Sequence, residues 1–465
     1  MDIANPQGGF RTLFKNRNFL LLWLAQLLSM TILNASNYAL LVLIEEITGS
    51  TTLIGVAIIA FSLPAVLFGA PAGVFVDRMN KRRVLWGSNC LRALATLGFV
   101  VSLLLDHHQL LIIYLLTFLI STVGQFFAPA EGSAIPMLVN EDEMMPAISL
   151  FQITFMLSQA LGFILFAPLV LSLLPAFKVL TITIQPIEML YAIIALLYLV
   201  CAGLIWLIPA ECFSQRRKIA EPQPLSMVGK IWNEMRQGWS FVRRDSQLFL
   251  AVVQLSFAGV LLLVIGELAT PIVTRLLLLS PNAMAFIFAP AGIGLVTGSI
   301  LMPRIIRRLG KTRAVLIGSG ILAFATLLLP LVTILARALQ PHGWNTNPLL
   351  LATVALLMLI AGFALDLINI PANTAMQEQT PEWIKGRVLA LQLMLYNLCS
   401  IPVILFIGAI ADLFGLDRVL YLISISIAIF GLWGVYFERK YPPQVKVGEV
   451  TQEEQDIVEL DEITP

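Results

Sequence analysis

Charge is what this 465-residue chain has least of. Only 12% of its residues are charged, against about 25% in soluble domains. Lys and Arg number 29, Asp and Glu 28, leaving a net charge of +1. Without a basic excess the chain cannot displace the counterions of a nucleic acid. It is also too apolar to be an acidic disordered polypeptide. Cysteine is scarce: Cys90, Cys201, Cys212 and Cys399 show no paired spacing, so neither a disulfide framework nor a zinc pattern arises. Three histidines, His107 and His108 adjacent, do not make a multi-histidine metal site. No Gly-Lys-Ser/Thr phosphate loop occurs, so the chain does not use ATP itself. No enzymatic constellation is found, and no cofactor or metal is called for. The first eighteen residues are polar and lack a small-residue cleavage signal, so the first apolar run is read as a retained helix.

Apolar residues make up 58% of the chain, above the roughly 45–50% of soluble domains. They fall in long runs such as 19–28, 110–120 and 349–365. A helix needs about 20 such residues to cross the ~30 Å hydrocarbon layer. Twelve spans are expected, at about 19–45, 53–76, 84–105, 110–129, 147–173, 188–209, 247–275, 283–303, 314–335, 349–373, 387–411 and 417–437. Lys and Arg favour cytoplasmic loops. With the N-terminus inside, 24 basic residues lie inside, four lie outside (Lys178, Arg275, Arg337, Arg418), and Arg92 lies within the third span. Both termini are therefore expected in the cytoplasm.

The segments read as an N-terminal six-helix bundle (1–209), a basic cytoplasmic linker (210–246), a C-terminal six-helix bundle (247–440) and an acidic cytoplasmic tail (441–465). The tail carries seven acidic residues and one lysine and is expected to be solvated. The halves echo each other. Val84-Leu85-Trp86-Gly87-Ser88 and Val315-Leu316-Ile317-Gly318-Ser319 open the third and ninth spans. Pro129-Ala130 and Pro371-Ala372 are read as closing the fourth and tenth. Matching positions in a six-plus-six pattern imply an internal repeat.

The second span ends in Gly73-Val74-Phe75-Val76-Asp77-Arg78-Met79-Asn80-Lys81-Arg82-Arg83. This resembles the loop signature between helices 2 and 3 of the major facilitator superfamily, with Asn80 in the place of the usual turn glycine. The stretch Thr48-Gly49-Ser50 through Pro64, Gly69 and Gly73, and Pro381 to Val388 before the eleventh span, resemble its bacterial branch of siderophore (enterobactin-type) exporters and macrolide efflux proteins. The resemblance covers roughly 10–440. It implies an all-α membrane protein, with twelve transmembrane helices in two pseudo-symmetric six-helix bundles. It also implies efflux of a small amphipathic organic molecule (siderophore-, drug- or metabolite-like) across the bacterial plasma (inner) membrane, and a monomer is expected.

Gly69, Gly73 and Asp77 share one helix face at i, i+4, i+8. Glycines admit a close neighbour, and a carboxylate there suits a helix N-terminus. The resemblance implies that this neighbour is the eleventh span near Gly386 and Arg387. The expected latch comprises Gly73, Asp77, Arg78, Arg82, Arg83, Gly386 and Arg387; the plainer reading makes the arginines topology determinants only.

A transport path needs polar groups on inward faces, since polar groups facing lipid are costly. The first span offers Gln26, Met30, Asn34 and Asn37; the fourth Tyr114, Thr117, Ser121 and Gln125; the fifth Gln152, Met156 and Gln159. The tenth offers Asp366, Asn369 and Asn373, and the eleventh Gln392, Tyr396 and Ser400. Each stripe could instead serve helix–helix hydrogen bonds. Arg92, Glu267 and Asp366 are read as the ionisable residues inside spans. Glu267 and Asp366 are candidates to carry a proton, making an antiporter; Arg92 is read as a brace. No arginine in the fourth span, Phe163 after Gly162 and Asn34 in the first span depart from many drug–proton antiporters of the superfamily. Alternatives on the same scaffold are a lysophospholipid or lipid translocator and a non-transporting membrane assembly factor.

Overall fold

The computed structural model describes residues 12–105, 109–179, 182–213, 227–280, 283–341 and 343–441. The tail from residue 442 lies outside them. So do the side chains of Asp77, Arg78, Gln152 and Met156, and the surroundings of Gly386.

The first six long helices are α1 (Arg17–Thr48), α2 (Thr51–Arg78), α3 (Lys81–Leu105), α4 (Leu110–Leu138), α5 (Met144–Ala160) and α6 (Pro186–Trp206). A linker helix follows, α7 (Met227–Arg244), and then α8 (Ser246–Pro271), α9 (Met284–Leu309), α10 (Lys311–Leu339), α11 (Pro348–Gln379), α12 (Glu382–Phe414) and α13 (Leu416–Lys440). Among the described residues, twelve helical stretches are long and apolar enough to cross a membrane. Among the described residues one antiparallel hairpin, β1 (Phe177–Val179) with β2 (Ile182–Ile184), interrupts the all-α plan between α5 and α6.

Local chemistry sets the helix ends. Asn16 caps α1 by accepting from the backbone N–H groups of Asn18 and Phe19, and α1 stops at Gly49, whose φ is 57°. Ser50 caps α2 by accepting from Leu53 N. Asn80 caps α3 by accepting from Arg83 N at 3.2 Å, which gives this departure from the usual turn glycine a structural use. Pro129, Pro136 and Pro371 do not end their helices. α4 continues through Pro129 and Pro136 to Leu138, and α11 through Pro371 to Gln379. The expected closures at Pro129-Ala130 and Pro371-Ala372 are therefore corrected: neighbouring helices tolerate the missing donors. Two wide turns occur, at Leu161–Phe166 after α5 and at Ile272–Leu276 after Pro271 of α8.

Within the first half, α3 packs on α4 and α6, α2 on α4, and α1 on α6; within the second, α11 packs on α8, α9 and α10, and α10 on α13. Small residues make the closest crossings. Gly294 abuts the Leu359 carbonyl, and Gly362 abuts the Ala291 carbonyl, so a methyl at either would collide with backbone. The halves meet where α2 packs on α12, α8 on α1 and α2, and the wide turn of α5 on α9. The polar linker contains the helix α7, which buries Val242, exposes Arg243 and Arg244, and packs on α12. Chain direction defines two faces of the molecule. The terminal face holds the start of α1 and the end of α13; the far face holds the turns at residues 49–50, 277–280 and 415.

Candidate functional site

At the far face one arginine gathers both halves. Arg275, in the wide turn after α8, grips Glu45 of α1 in a two-pronged pair. Its Nε donates to Oε1 at 2.8 Å and its Nη2 to Oε2 at 2.6 Å. Its Nη1 donates to Thr51 Oγ1 at 3.1 Å and Asp412 Oδ1 at 3.2 Å. Thr274 adds a donor to Glu45 at 2.6 Å. Such forked, charge-assisted bonds fix orientation as well as distance.

Asp412, near the end of α12, caps the first turn of α2 across the interface. Its Oδ1 accepts from Thr51 N at 2.7 Å, and its Oδ2 accepts from Thr52 N at 2.9 Å and from the Ser50 and Thr52 hydroxyls at 2.7 Å each. A helix N-terminus carries orphan donors and partial positive charge, so a carboxylate is well matched to it.

Beneath this network lies Glu267 of α8. It is 0% exposed, and neither carboxyl oxygen has a hydrogen-bond partner among the described residues. Two glycines make its room. A methyl on Gly55 of α2 would lie 2.7 Å from Glu267 Oε1, and one on Gly408 of α12 would lie at the same distance. Glu267 therefore sits at the three-helix crossing of α2, α8 and α12, on the seam between halves. Its charged neighbour on α12 is Asp412, one turn past Gly408; α2 presents the neutral Thr52 and Gly55.

The terminal face differs. Gly73 has no neighbouring atom within 4 Å of where a methyl would stand. Arg387 instead donates to Gln237 Oε1 of α7 at 2.8 Å, and its backbone packs on Gly238. Arg82 donates to the Trp206 carbonyl at the end of α6, and Arg83 is exposed. The expected latch residues are not brought together here, and those at Asp77, Arg78 and Gly386 lie outside the described residues. An opening of about 420 Å³ at this end of α11 is lined by Asn373, Thr374, Gln377, Glu378 and Lys385.

The polar stripes divide. Met30, Asn34, Asn37, Gln125, Asn369 and Tyr396 are half-buried, and Gln159 is exposed. Asn34 Nδ2 donates to its own helix at Met30 O, 2.9 Å away, while its Cβ packs on Gly162 in the wide turn after α5. Gln26 is buried with Oε1 unpartnered. Thr117, Ser121 and Gln392 are buried, and Thr117 donates to Ile113 O. The Tyr396 ring packs on Gly259 of α8, and Tyr114 donates to Leu53 O, tying α4 to α2. Gln152 lies outside the described side chains. Gln254 and Glu267 serve different partners: Gln254 lines a cavity at the terminal face, so α8 needs no break between them.

Asp366 faces its own half. Its Oδ2 accepts from Ser299 Oγ of α9 at 2.8 Å, and it packs on Gly298. Arg92, 1% exposed, donates to Ser29 Oγ at 2.9 Å and lies over the rings of Phe127 and Tyr198. The buried carboxyl of Glu131 on α4 lies near it, with no ion pair between the two among the described residues. Glu131 escapes a reading that stops the fourth span at Pro129. Glu45, Arg275 and Asp412 escape one that places them at loop ends; the signal was an acidic residue just before Gly49 and another just before Gly415.

Comparison with known proteins agrees with this architecture. The family described as Major Facilitator Superfamily matches residues 22–402. The uncharacterized MFS-type transporter YkuC of Bacillus subtilis (strain 168) is 28% identical over 151 residues, covering 32% of this chain and 35% of that one. Macrolide efflux protein A of Streptococcus pyogenes is 26% identical over 175 residues, 36% of this chain and 43% of that one. The chain thus spans less than half the length of these two relatives. The uncharacterized MFS-type transporter YfiS of Bacillus subtilis (strain 168) is 23% identical over 379 residues, 80% of this chain and 81% of that one. Among solved structures, a bacterial homologue of the human lysosomal transporter Spinster superposes with a TM-score of 0.66 at 13% identity, covering 91% of this chain and 96% of that one. A bacterial homologue of the iron transporter ferroportin does so at 0.66 and 14%, covering 91% and 99%.

Proposed function

Because the chain belongs to the Major Facilitator Superfamily and is a multi-pass membrane transporter, we propose that it exports a small amphipathic organic molecule by alternating access. The basic-residue asymmetry supports a cytoplasmic terminal face, and the bacterial relatives support a bacterial inner membrane. The observation that carries the reading is the uneven seam: Glu45, Arg275 and Asp412 tie the halves at the far face, while Gly73 faces open space at the terminal face. That is the arrangement of a carrier shut outside and open inside.

The two latches mirror each other. α2 and α12 run in opposite directions side by side, so each helix ends in a carboxylate on the face where the other begins. Asp412 caps α2 in this state. Asp77 would cap α12 in the opposite state, where Gly73 closes against it. One cap must break for the other to form, which gives a two-state element.

Glu267 makes outer closure proton-linked. An ionised carboxylate enclosed without a donor costs several kcal/mol, and Asp412 adds a like charge nearby. The closed seam therefore holds the neutral acid, and opening the far face to water frees it to ionise. Asp366, already bonded to Ser299, braces α9 against α11.

The half-buried stripe residues Asn34, Asn37, Gln125 and Asn369 all present amides. They suit a neutral or cationic amphipath. The likeness to Macrolide efflux protein A makes macrolides the first class to try. The test is accumulation of labelled macrolides, and of a siderophore panel, in cells lacking their own exporters. Expression of the chain should lower accumulation, and Asp412→Asn at equal protein level should abolish the effect. Unchanged accumulation across both panels would remove the substrate class; a flux indifferent to Asp412 would remove the latch.

A further inference from the structure

At the terminal face, inside the second half, lies a cavity of about 690 Å³. It is bounded by the ends of α8, α11 and α13 and by the α9–α10 turn. Three cations line it, Lys311, Arg313 and Arg439, with one carboxylate, Glu438. Two of these four are already used. Lys311 is paired with Glu378, and Glu438 accepts from Thr312 Oγ1 at 2.6 Å. Arg313 and Arg439 have no hydrogen bond or ion pair among the described residues. The wall also holds the side-chain amides of Gln254, 6% exposed, and Gln379. The α10 N-terminus opens here behind Gly310, with no side-chain cap. Free guanidinium groups, amide donors and uncapped backbone N–H groups together make a receptor for carboxylates.

We infer that the occupant is the chain's own acidic C-terminal segment. The chain leaves α13 at the rim of this cavity: Gln247, a lining residue, donates from Nε2 to the Tyr441 carbonyl at 2.8 Å. The remaining 24 residues carry Glu449, Glu453, Glu454, Asp456, Glu459, Asp461 and Glu462 against the single Lys446. Glu449 is eight residues beyond Tyr441, which allows it up to about 26–29 Å of reach. Tethering gives these carboxylates an effective concentration in the mM range. Docked there, the segment bridges Arg313 at the start of α10 to Arg439 at the end of α13. It is an electrostatic clamp on the inner end of the second half.

The test uses the full chain in phosphatidylcholine nanodiscs, with Val458 replaced by p-benzoylphenylalanine. Illumination followed by peptide mapping should place cross-links on the cavity segments 309–316 and 435–439. They should disappear in Arg313→Gln/Arg439→Gln. They should disappear equally when the tail alone is changed, in Glu449→Gln/Glu453→Gln/Glu454→Gln/Asp456→Asn, a variant that leaves the helices untouched. They should also be lost at 1 M salt, where the screening length falls to about 3 Å. Cross-links elsewhere, or cavity cross-links that survive both variants, would overturn the inference. So would a cavity free of cross-links whose arginines instead confer a thermal shift with phosphatidylglycerol; a lipid headgroup would then be the occupant.

Discussion

Asp412 of α12 caps the first turn of α2, taking the backbone N–H groups of Thr51 at 2.7 Å and Thr52 at 2.9 Å. The bond crosses from one half of the molecule to the other, so it exists only while the far face is shut. Asp412→Asn keeps the size and loses the charge. A charge-assisted bond set of this kind contributes about 1–3 kcal/mol. The variant should shift the population toward the outer-open state by about 5- to 150-fold. Nitroxide distances between Thr48→Cys and Ser280→Cys, on a cysteine-free background, read this shift directly; an unchanged distance distribution would show that the cap does not hold the seam.

The Glu45–Arg275 pair should resist rescue by exchange. Glu45→Gln should open the far face, because Arg275 loses its forked partner. Swapping the charges, Glu45→Arg with Arg275→Glu, would set the new carboxylate beside Asp412. The double variant should stay open, and adding Asp412→Asn should restore closure in part. Full rescue by the simple swap would mean that Asp412 is no part of the network.

The two glycines beside Glu267 should differ in a diagnosable way. Gly55→Ala meets only side-chain ends, Glu267 Oε1 and Ile404 Cγ2 at 2.8 Å. Gly408→Ala also meets the Thr52 backbone, Cα at 2.8 Å and N at 3.0 Å. Both should favour the outer-open state, the second more strongly. Glu267→Ala should relieve Gly55→Ala in part and leave Gly408→Ala open. The same distance measurement distinguishes them.

Arg92 should matter for stability and not for the conformational balance. Arg92→Met loses the buried bond to Ser29 and the contacts with Phe127 and Tyr198, which should cost about 1–3 kcal/mol. Arg92→Lys should rescue poorly, since an ammonium cannot reproduce the planar contacts with Phe127 and Tyr198 while reaching Ser29. Thermal melts in detergent measure the loss, and the Thr48–Ser280 distances should stay those of the parent protein.

The helices were legible because hydrocarbon demands long apolar runs, and nothing else in this chain competes with that signal. Glu267 was legible for the same reason: a lone carboxylate in Val264-Ile265-Gly266-Glu267-Leu268 stands out. Glu131 was hidden because Pro129 looks like a stop, whereas a membrane helix with close neighbours carries on through proline. The far-face network was hidden for another reason. Glu45, Arg275 and Asp412 lie 230 and 137 residues apart in turn along the chain, each beside a loop, and only packing of the two halves makes them partners. α7 was hidden because its amphipathic pattern is too polar to read as a span and lies in a stretch rich in loop residues.

The most direct test of the account is the pH dependence of far-face closure, read by the Thr48–Ser280 distances in the parent protein and in Glu267→Gln. If the closed seam holds the neutral acid, closure is favoured at low pH and is lost as pH rises and the carboxyl ionises. The glutamine, always neutral, should keep the far face closed across the whole range. A Glu267→Gln protein that opens with rising pH as the parent does would contradict the account.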